Sequence, residues 1–491
     1  MTTNYLPASG GRAHSQGCYR AVVAKDSRFD GVFFTGVKTT GIYCRPVCSA
    51  KTPLASSCVF FSSAAAAEAS GFRPCLRCRP ELAPYALQQN LAFAVWQKIA
   101  AGALNDGDLE QLSEQVGLSS RQLRRVLLQE FGVSPIELAQ TQRLLFAKKL
   151  LQETNMPMTE LAFAAGFGSV RRFNALFEQR YKMTPGSIRR STAEDDSKDL
   201  VLRLAYRPPY AWNAILKYLA GRAMPGLEAV HDQAYLRSVD INGKSGWIKV
   251  THLPDRGQLA LQVSPNLSSV LMPLLARVRA QFDLEANPSV IQAHLASDDL
   301  LAQQMARTPG LRVPGAFDIF ELAIRAVLGQ QVSVAGATTV SGRLVHAFGK
   351  SVDTPFIGVT HHFPSMAVLA QIPVTEIAKI GVPKSRSATI QNVARFALAG
   401  GLEQKLGVSA DSVVTNLKTV AGIGDWTAQY IALRALRFPD AFPAGDLGLQ
   451  KAVAIAPETR ITEKQLLERA KAWSPWRSYA ALLLWQSLTK E

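Results

Sequence analysis

The alternation of hydrophobic and polar positions divides the chain into four segments. Residues 1–80 show little helical periodicity, whereas residues 86–190 repeat hydrophobic positions at the three-to-four-residue spacing of amphipathic helices. Residues 199–306 mix strand and helix patterns, and residues 307–491 are helical to the end. The polar, acidic stretch 191–197 predicts a linker between the second and third segments. The pattern therefore predicts a multidomain, mainly α protein.

The clearest strand signals lie in the third segment. Residues 235–240 and residues 247–252 are rich in β-branched and aromatic side chains, and the dipeptide Asn242-Gly243 between them favours a type I′ turn. We predict a β-hairpin at this point, with residues 259–263 as a third strand.

Two stretches of the second segment predict a helix, a glycine turn and an arginine-rich second helix. The first covers residues 109–126 and turns at Gly117, and the other covers residues 158–177 and turns at Gly166. In a helix-turn-helix motif the second helix lies in the major groove, where Arg binds guanine and Asn binds adenine. A solvated helix face is the alternative for these side chains. The candidate DNA contacts are Arg121, Gln122, Arg125, Arg171, Arg172 and Asn174.

Composition and charge narrow the class of protein. The chain has 491 residues, of which 47% are hydrophobic and 19% charged, so it is an ordinary globular chain too long for one core of ~250–300 residues. No apolar run approaches the ~18 residues of a membrane span, and the N-terminus has no apolar signal region. A net charge of +16 indicates a nucleic-acid partner, with an anionic membrane surface as the lesser alternative.

The six cysteines all lie at or before residue 78, so the rest of the chain offers no thiol nucleophile, iron–sulfur ligand or disulfide. Two close pairs have the spacing of a tetrahedral zinc site: Cys44 with Cys48, and Cys75 with Cys78. Two interpretations are open, a structural zinc ribbon and a reactive site in which a thiolate is the nucleophile. The arginines around the cluster favour a surface that faces phosphates: Arg45, Arg73, Arg77 and Arg79.

A glycine-containing turn in the fourth segment predicts a phosphate-binding helix N-terminus. Gly422 and Gly424 lie between two predicted helices, and their backbone N–H groups are accessible to a partner. Trp426 and Tyr430 share a face of the second helix because they are four residues apart. Asp446 follows in a Gly/Pro-rich loop, where a helix cap is the alternative to a catalytic role, as core packing is for the aromatic residues.

The sequence Gly36-Val-Lys-Thr-Thr-Gly-Ile-Tyr-Cys44-Arg-Pro-Val-Cys48, followed by residues 71–80, resembles the N-terminal domain of Ada-type DNA repair regulators. In that family four cysteines bind zinc, and the first takes a methyl group irreversibly from a methylphosphotriester in DNA. The resemblance implies that Cys44 is both acceptor and ligand, and that Cys48, Cys75 and Cys78 complete the site of one Zn²⁺. It implies phosphate contacts for Thr40, Arg45 and Arg73, while Cys18 and Cys58 match no motif position and are expected to be bystanders.

The tandem helix-turn-helix patterns, ending in residues 183–190, resemble the AraC-type DNA-binding domain. Residues 206–212, residues 323–333 and the chain from there to Trp485 resemble the helix-hairpin-helix DNA glycosylases, more narrowly the AlkA-type 3-methyladenine DNA glycosylase II. This second resemblance implies that Asp446 is catalytic and that Trp426, Tyr430 and Trp485 line the base pocket. The carboxylate then stabilises an oxocarbenium-like sugar or orients water, and the aromatic faces attract a flipped, cationic base.

Two positions depart from the glycosylase pattern. Bifunctional relatives carry a lysine two residues after the second hairpin glycine, where this chain has Trp426, so we expect no Schiff-base lyase activity. Gln331 occupies the place of the apolar wedge that fills the vacated base stack, and we expect it to contact DNA.

The resemblances together imply four domains. They are an α+β zinc and methyl-acceptor domain at residues 1–82, a tandem helix-turn-helix domain at 86–190, an α+β sheet domain at 199–306 and an all-α helix-hairpin-helix glycosylase domain at 307–491. The absence of cysteine after residue 78 implies that no O6-methylguanine methyltransferase activity is present.

We therefore expect a cytoplasmic DNA repair protein that excises alkylated purines, accepts methyl groups on Cys44 and regulates transcription. The alternatives are an alkylation-responsive activator whose glycosylase-like domain is catalytically silent, and a plain zinc-ribbon protein. The expected partners are alkylated double-stranded DNA and promoter DNA, with RNA polymerase as a further candidate. We expect the chain to act as a monomer and not at a membrane.

Overall fold

The structure is a computed structural model that describes residues 11–83, 91–105, 107–189, 200–403, 410–454 and 460–488. The predicted linker 191–197 lies outside the described residues. Across the described part of the chain, no helix is both long enough and apolar enough to cross a membrane.

The first segment folds around a four-stranded sheet with strand order β3-β1-β2-β4. Its elements are α1 (Gly11–Val23), β1 (Phe34–Val37), β2 (Ile42–Cys44), β3 (Cys58–Phe61), α2 (Ala64–Ala69) and β4 (Arg73–Pro74). Helix α1 has too short an apolar stripe to be predicted from the sequence, because only Cys18, Ala21 and Val22 face the core. Cys18 and Cys58, the two cysteines outside the predicted zinc site, pack in one small hydrophobic cluster.

The second segment contains both predicted helix-turn-helix motifs. Its helices are α3 (Leu91–Ala100), α4 (Leu109–Val116), α5 (Ser120–Phe131), α6 (Pro135–Glu153), α7 (Met158–Ala164), α8 (Val170–Tyr181) and α9 (Pro185–Ile188). Gly117 ends α4 with φ of +67°, and Ser119 caps α5 in a capping box with Gln122. Gly166, with φ of +80°, makes the equivalent turn between α7 and α8.

The third segment is built on a five-stranded antiparallel sheet with strand order β5-β9-β8-β7-β6. Its elements are β5 (Leu200–Ala205), α10 (Trp212–Ala220), β6 (Glu228–His231), β7 (Ala234–Ile241), β8 (Lys244–Leu253), β9 (Gln258–Val263), α11 (Leu271–Gln281), α12 (Pro288–Leu295) and α13 (Asp299–Arg307). Asn242 and Gly243 have φ values of +52° and +74°, as a type I′ turn requires, so the predicted hairpin is confirmed.

The named elements of the fourth segment are all helices in its described residues. They pack in a large hydrophobic core that also includes Leu295 of α12 and Leu301 of α13 from the third segment. Its helices are α14 (Ile319–Leu328), α15 (Val334–Phe348), α16 (Met366–Gln371), α17 (Val374–Lys379), α18 (Lys384–Leu398), α19 (Ala410–Lys418), α20 (Asp425–Arg434), α21 (Leu447–Ala452), α22 (Glu463–Ala470) and α23 (Arg477–Ser487). The predicted hairpin lies between α19 and α20, and Asp446 immediately precedes α21.

The second helix-turn-helix motif and the sheet of the third segment share one hydrophobic core. Leu150 of α6 and Phe177 of α8 belong to the same buried cluster as Leu202 of β5 and Leu271 of α11. Each of these four side chains is completely buried. The second segment therefore packs against the third segment through apolar side chains.

Candidate functional site

Asp446 is at once a helix cap and the partner of two indoles. Its Oδ1 accepts the capping hydrogen bond from the backbone amide of Leu449 at 3.0 Å. The same oxygen accepts a hydrogen bond from Trp485 Nε1 at 2.9 Å, and Oδ2 accepts one from Trp426 Nε1 at 2.8 Å. Because the carboxylate is also half-buried, the cap fixes its position without excluding chemistry at its oxygens.

The three predicted pocket aromatics come together beside this carboxylate. The rings of Trp426 and Tyr430 are stacked, with centroids 5.2 Å apart and planes within 8°. Trp485 meets Tyr430 edge-on, with a centroid separation of 6.3 Å. All three side chains are half-buried. Electron-rich faces next to a carboxylate suit a flat, cationic ring such as an alkylated purine.

Arg434, which was not among the predicted site residues, lies one turn further along α20. Its buried guanidinium donates hydrogen bonds to the hydroxyl of Tyr430, at 2.9 Å, and to that of Tyr218. Burial raises the pKa of Tyr430, but the charges of Arg434 and Arg222 and the hydrogen bond from Tyr218 outweigh burial and lower the pKa to about 8. The spacing of Trp426, Tyr430 and Arg434 at four-residue intervals was the available signal.

The turn before α20, which the sequence predicts to bind phosphate, is shaped by its two glycines. Gly422 has φ of +94°, and a Cβ at this position would lie 1.9 Å from Thr389 Oγ1, so no other residue fits. Gly424 is exposed, with open space around it and no side chain capping α20. Gln330 anchors the neighbouring loop by donating to the carbonyl of Gly422 at 3.0 Å. Gln331 in that loop is exposed and has φ of +56°.

The four predicted zinc ligands form one cluster in the first segment. The sulfur atoms of Cys44, Cys48, Cys75 and Cys78 all lie within 4.8 Å of one another. Four sulfurs bound to one zinc ion at about 2.3 Å lie ~3.8 Å apart, so the donor set fits a single tetrahedral zinc ion. The backbone amide of Cys75 donates to the carbonyl of Tyr43 at 3.0 Å, which brings the two halves of the site together.

The arginines around the cysteines form a less basic surface than the sequence suggested. Arg45 donates to Oδ1 of Asp30 at 2.8 Å and to the carbonyl of Cys78 at 3.1 Å. Arg79 is ion-paired with Glu81 and Glu153. An arginine that is largely removed from water requires such carboxylate partners. Arg45 therefore holds the zinc loop together, which argues against the predicted phosphate contact.

The other predicted phosphate contacts near the cluster remain accessible. Thr40 is exposed in the turn between β1 and β2, and Arg73 is half-buried on β4. Arg77 is exposed between the last two cysteines. These three positions stay candidates for DNA contact.

The predicted base contacts lie on the second helices of the two helix-turn-helix motifs. Arg121 and Arg125 on α5 and Arg171 and Arg172 on α8 are exposed, and Asn174 is half-buried. Gln122 is different, because its Oε1 accepts a hydrogen bond from the amide of Ser119 at 3.0 Å. Its side chain completes the capping box, which leaves only its amide N–H groups for a base.

Family models match the chain in four successive stretches. They are the metal binding domain of Ada over residues 17–81, a helix-turn-helix domain over 112–191, the AlkA N-terminal domain over 201–318 and the HhH-GPD superfamily of base excision DNA repair proteins over 324–477.

One curated relative matches nearly the whole chain, and another matches a little more than half of it. A protein of Mycobacterium tuberculosis (strain ATCC 25618 / H37Rv) named "Probable bifunctional transcriptional activator/DNA repair enzyme AlkA" is 38% identical over 96% of this chain and 96% of its own length. "DNA-3-methyladenine glycosylase 2" of Escherichia coli (strain K12) is 34% identical over 57% of this chain and 95% of its own length.

A solved structure supports the fold of the C-terminal half. The 3-methyladenine DNA glycosylase from Archaeoglobus fulgidus aligns with a TM-score of 0.51 at 19% identity, over 58% of this chain and 99% of its own. The chain therefore belongs to the family of bifunctional transcriptional activators and DNA repair enzymes in which an Ada metal-binding domain and a helix-turn-helix domain are joined to a base excision DNA glycosylase.

Proposed function

We propose that this chain excises alkylated purines of the 3-methyladenine type from double-stranded DNA by hydrolysis of the N-glycosidic bond. The observation that carries the proposal is the Asp446 carboxylate, which accepts hydrogen bonds from the indoles of Trp426 and Trp485. Trp426 is in turn stacked on Tyr430, so the carboxylate lies beside a pair of aromatic faces. The base leaves with the electrons of the glycosidic bond, and the sugar becomes oxocarbenium-like. The nearby carboxylate stabilises that charge or orients the attacking water. The names of the glycosylase relatives point to the same substrate class.

The release of free base from alkylated duplex DNA tests this role. Asp446→Asn keeps a capping side chain but removes the negative charge, and we expect base release to fall by about 10²–10³-fold. Asp318→Asn is the matched control, because Asp318 also caps a helix, accepting from the amides of Phe320 and Glu321. Wild-type protein that releases no base would leave the alternative of an activator with a silent glycosylase domain.

We further propose that Cys44 accepts a methyl group from a methylphosphotriester. Cys44, Cys48, Cys75 and Cys78 would hold one zinc ion, which would keep their thiols deprotonated at neutral pH. The Cys44 sulfur then attacks the methyl carbon, the carbon–oxygen bond breaks, and the phosphodiester leaves as an anion. The transfer converts a thiolate into a thioether, removes one negative charge from the cluster and lowers its repulsion from DNA. Mass spectrometry after exposure to such DNA should find one added CH2 group on Cys44, and an unmodified Cys44 would leave a structural zinc ribbon.

The tandem helix-turn-helix motifs support a third proposed role, the binding of promoter DNA by α5 and α8 with the exposed arginines of both helices. A promoter-binding protein would be located in the cytoplasm and would have RNA polymerase as a partner. The monomeric state remains a prediction. The four predicted domain boundaries stay proposals as well. To test this role, we would measure binding to promoter DNA and base release for Arg172→Ala. We expect the variant to lose sequence-specific binding and to retain base release.

A further inference from the structure

Helix α2 belongs to the first segment, described over residues 11–83 and called here the zinc segment, and most of the helix is buried. Its sequence Ala64-Ala-Ala-Ala-Glu-Ala69 gives it small side chains, and residues 64–68 are all buried. Ala65 belongs to the core of the first helix-turn-helix motif, together with Leu123 of α5. Ala64 packs in the core of the zinc segment, together with Leu145 of α6. The alanines therefore let α2 lie against two domains at once.

The N-terminal end of α2 is attached to the last residue of α5. Ser63 caps α2 by accepting a hydrogen bond from the amide of Ala66 at 3.0 Å. Its hydroxyl also donates to the carbonyl of Phe131 at 3.0 Å. One side chain thus joins the start of α2 to the C-terminal end of the first recognition helix.

The other end of α2 is attached to the last residue of α8. Glu68 Oε1 accepts hydrogen bonds from Tyr43, at 3.0 Å, and from Tyr181, at 3.4 Å, while Oε2 accepts one from Thr141 at 3.1 Å. All four side chains are at most 4% exposed. A buried carboxylate is costly unless donors surround it, so withdrawing Tyr181 from Glu68 is unfavourable. Tyr43 precedes Cys44 in β2, so the strand that contains the proposed methyl acceptor also contacts α2 through the Glu68 carboxylate.

We propose that α2 is a brace that holds the C-terminal ends of α5 and α8 at a fixed separation, and that it thereby determines which spacing of two DNA half-sites the chain accepts. The inference rests on the proposed function in which both recognition helices enter DNA. Helix α6 connects the two motifs along the chain, and the contacts of Ser63 and Glu68 add a second connection between the ends of the recognition helices. Two connections resist the hinge motion that a single helix permits.

The physical consequence is selectivity for spacing. Two recognition helices that bind successive major grooves must match a helical repeat of ~10 base pairs, and each inserted base pair rotates one half-site by about 35° around the DNA axis. A braced pair of helices follows that rotation poorly, whereas a hinged pair follows it more easily. The brace therefore changes the preference among spacings, with little effect on the contacts within one half-site.

The test compares affinities for a series of duplexes. The parent duplex is selected in vitro for tight binding to the full-length wild-type chain, and its relatives carry one, two or three extra base pairs between the half-sites. The test variant is Ser63→Ala/Tyr181→Phe, which removes one hydroxyl at each end of α2. The control is Ser365→Ala/Tyr235→Phe, which removes the cap of another six-residue helix and another buried tyrosine–glutamate hydrogen bond.

We expect the ratio of affinities between the parent and the extended duplexes to fall about fivefold in the test variant, which is the worth of roughly one hydrogen bond. The control variant should keep the wild-type ratio, and both variants should bind an isolated half-site as the wild type does. If the test variant keeps the wild-type ratio of affinities, the brace is overturned, but the proposed DNA-binding role is not. Absence of any sequence-specific binding by the wild type overturns the proposed DNA-binding role together with the brace. If the double variant unfolds in a thermal scan, Tyr181→Phe decides by the same ratio.

Discussion

Trp426 Nε1 donates a hydrogen bond to Oδ2 of Asp446 at 2.8 Å, so an aromatic residue of the pocket also orients the carboxylate. The ring can stack on a base while its edge holds the acid in place. A helix cap and a catalytic carboxylate were alternatives for Asp446 in the sequence. The structure shows the cap, and because the same carboxylate also accepts from two indoles, the cap does not rule out the proposed catalytic role.

The indole hydrogen bonds should matter for rate more than for folding. Trp426→Phe and Trp485→Phe keep aromatic rings but remove the donors to the two carboxylate oxygens. A hydrogen bond to a charged group is worth ~1.5–3 kcal/mol, so we expect each variant to release base about 10- to 100-fold more slowly in single turnover. Trp473→Phe is the matched control, because Trp473 Nε1 donates to Asp298 at 3.0 Å in another part of the domain. Equal losses in all three variants would contradict a role for the orientation of Asp446.

Tyr430 should titrate near pH 8 in the folded protein. Burial works against this, but the neighbouring arginines and Tyr218 lower the pKa to about 8 from the ordinary value of 10.0. A lowered folded-state pKa stabilises the fold above the ordinary value, and that contribution is lost as the pH falls through 8. Relative to Tyr430→Phe, the wild type should therefore gain stability between pH 8 and pH 10. Thermal unfolding midpoints of both proteins, with tyrosinate absorbance as a second measure, check this, and parallel pH profiles would contradict it.

The local sequence pattern was sufficient to predict the turns and helices that position the candidate site residues. Backbone geometry within a few residues is determined by the turns at Gly117, at Gly166 and at Asn242-Gly243. The four-residue spacing of Trp426 and Tyr430 likewise places their rings on one helix face. Such short-range rules can be applied without knowing the fold. The residues of the candidate active site were therefore predictable once the family resemblance had assigned them roles.

The contacts between segments were not predictable in the same way. The contact of Arg45 with Asp30 could not be predicted, because Asp30 lies fifteen residues away and carries no motif. Arg434 and Tyr218 meet across 216 residues, and Glu68 and Tyr181 across 113. Which buried polar side chain finds which partner depends on how the segments pack, and no periodicity in the sequence records that packing.

Loss of one zinc ligand should weaken more than the metal site. Cys48→Ser removes a thiolate from the cluster, and we expect the bound zinc to fall from about one per chain to near zero. Because α2 packs against the helix-turn-helix motifs, the unfolding midpoint of these motifs should fall as well. Cys58→Ser is the control, since Cys58 lies in a separate hydrophobic cluster and should leave the zinc content unchanged. Elemental analysis and thermal unfolding measure both effects, and full zinc occupancy in Cys48→Ser would contradict the assignment.

Glu68 should make the stability of the protein depend on pH. Burial raises the pKa of its carboxyl group to about 7 from the ordinary value of 4.5, although the hydrogen bonds from Tyr43, Thr141 and Tyr181 oppose the shift. In an unfolded chain the group ionises near pH 4.5, whereas in the folded chain it holds its proton up to about pH 7. The folded state therefore binds more protons in this interval, and stability falls as the pH rises through it.

Glu68→Gln should remove that dependence while keeping the shape of the side chain. The amide oxygen can accept from the two tyrosines, and the amide nitrogen can donate to the Thr141 hydroxyl, which then reverses its role. We expect the variant to gain stability relative to the wild type as the pH rises from 4.5 to about 7, by at most ~3.4 kcal/mol, the free energy of a shift of about 2.5 pKa units. Unfolding midpoints at several pH values measure the difference. The pH dependence of zinc binding is shared by both proteins and cancels, so a difference that stays constant with pH would show that Glu68 is ionised throughout.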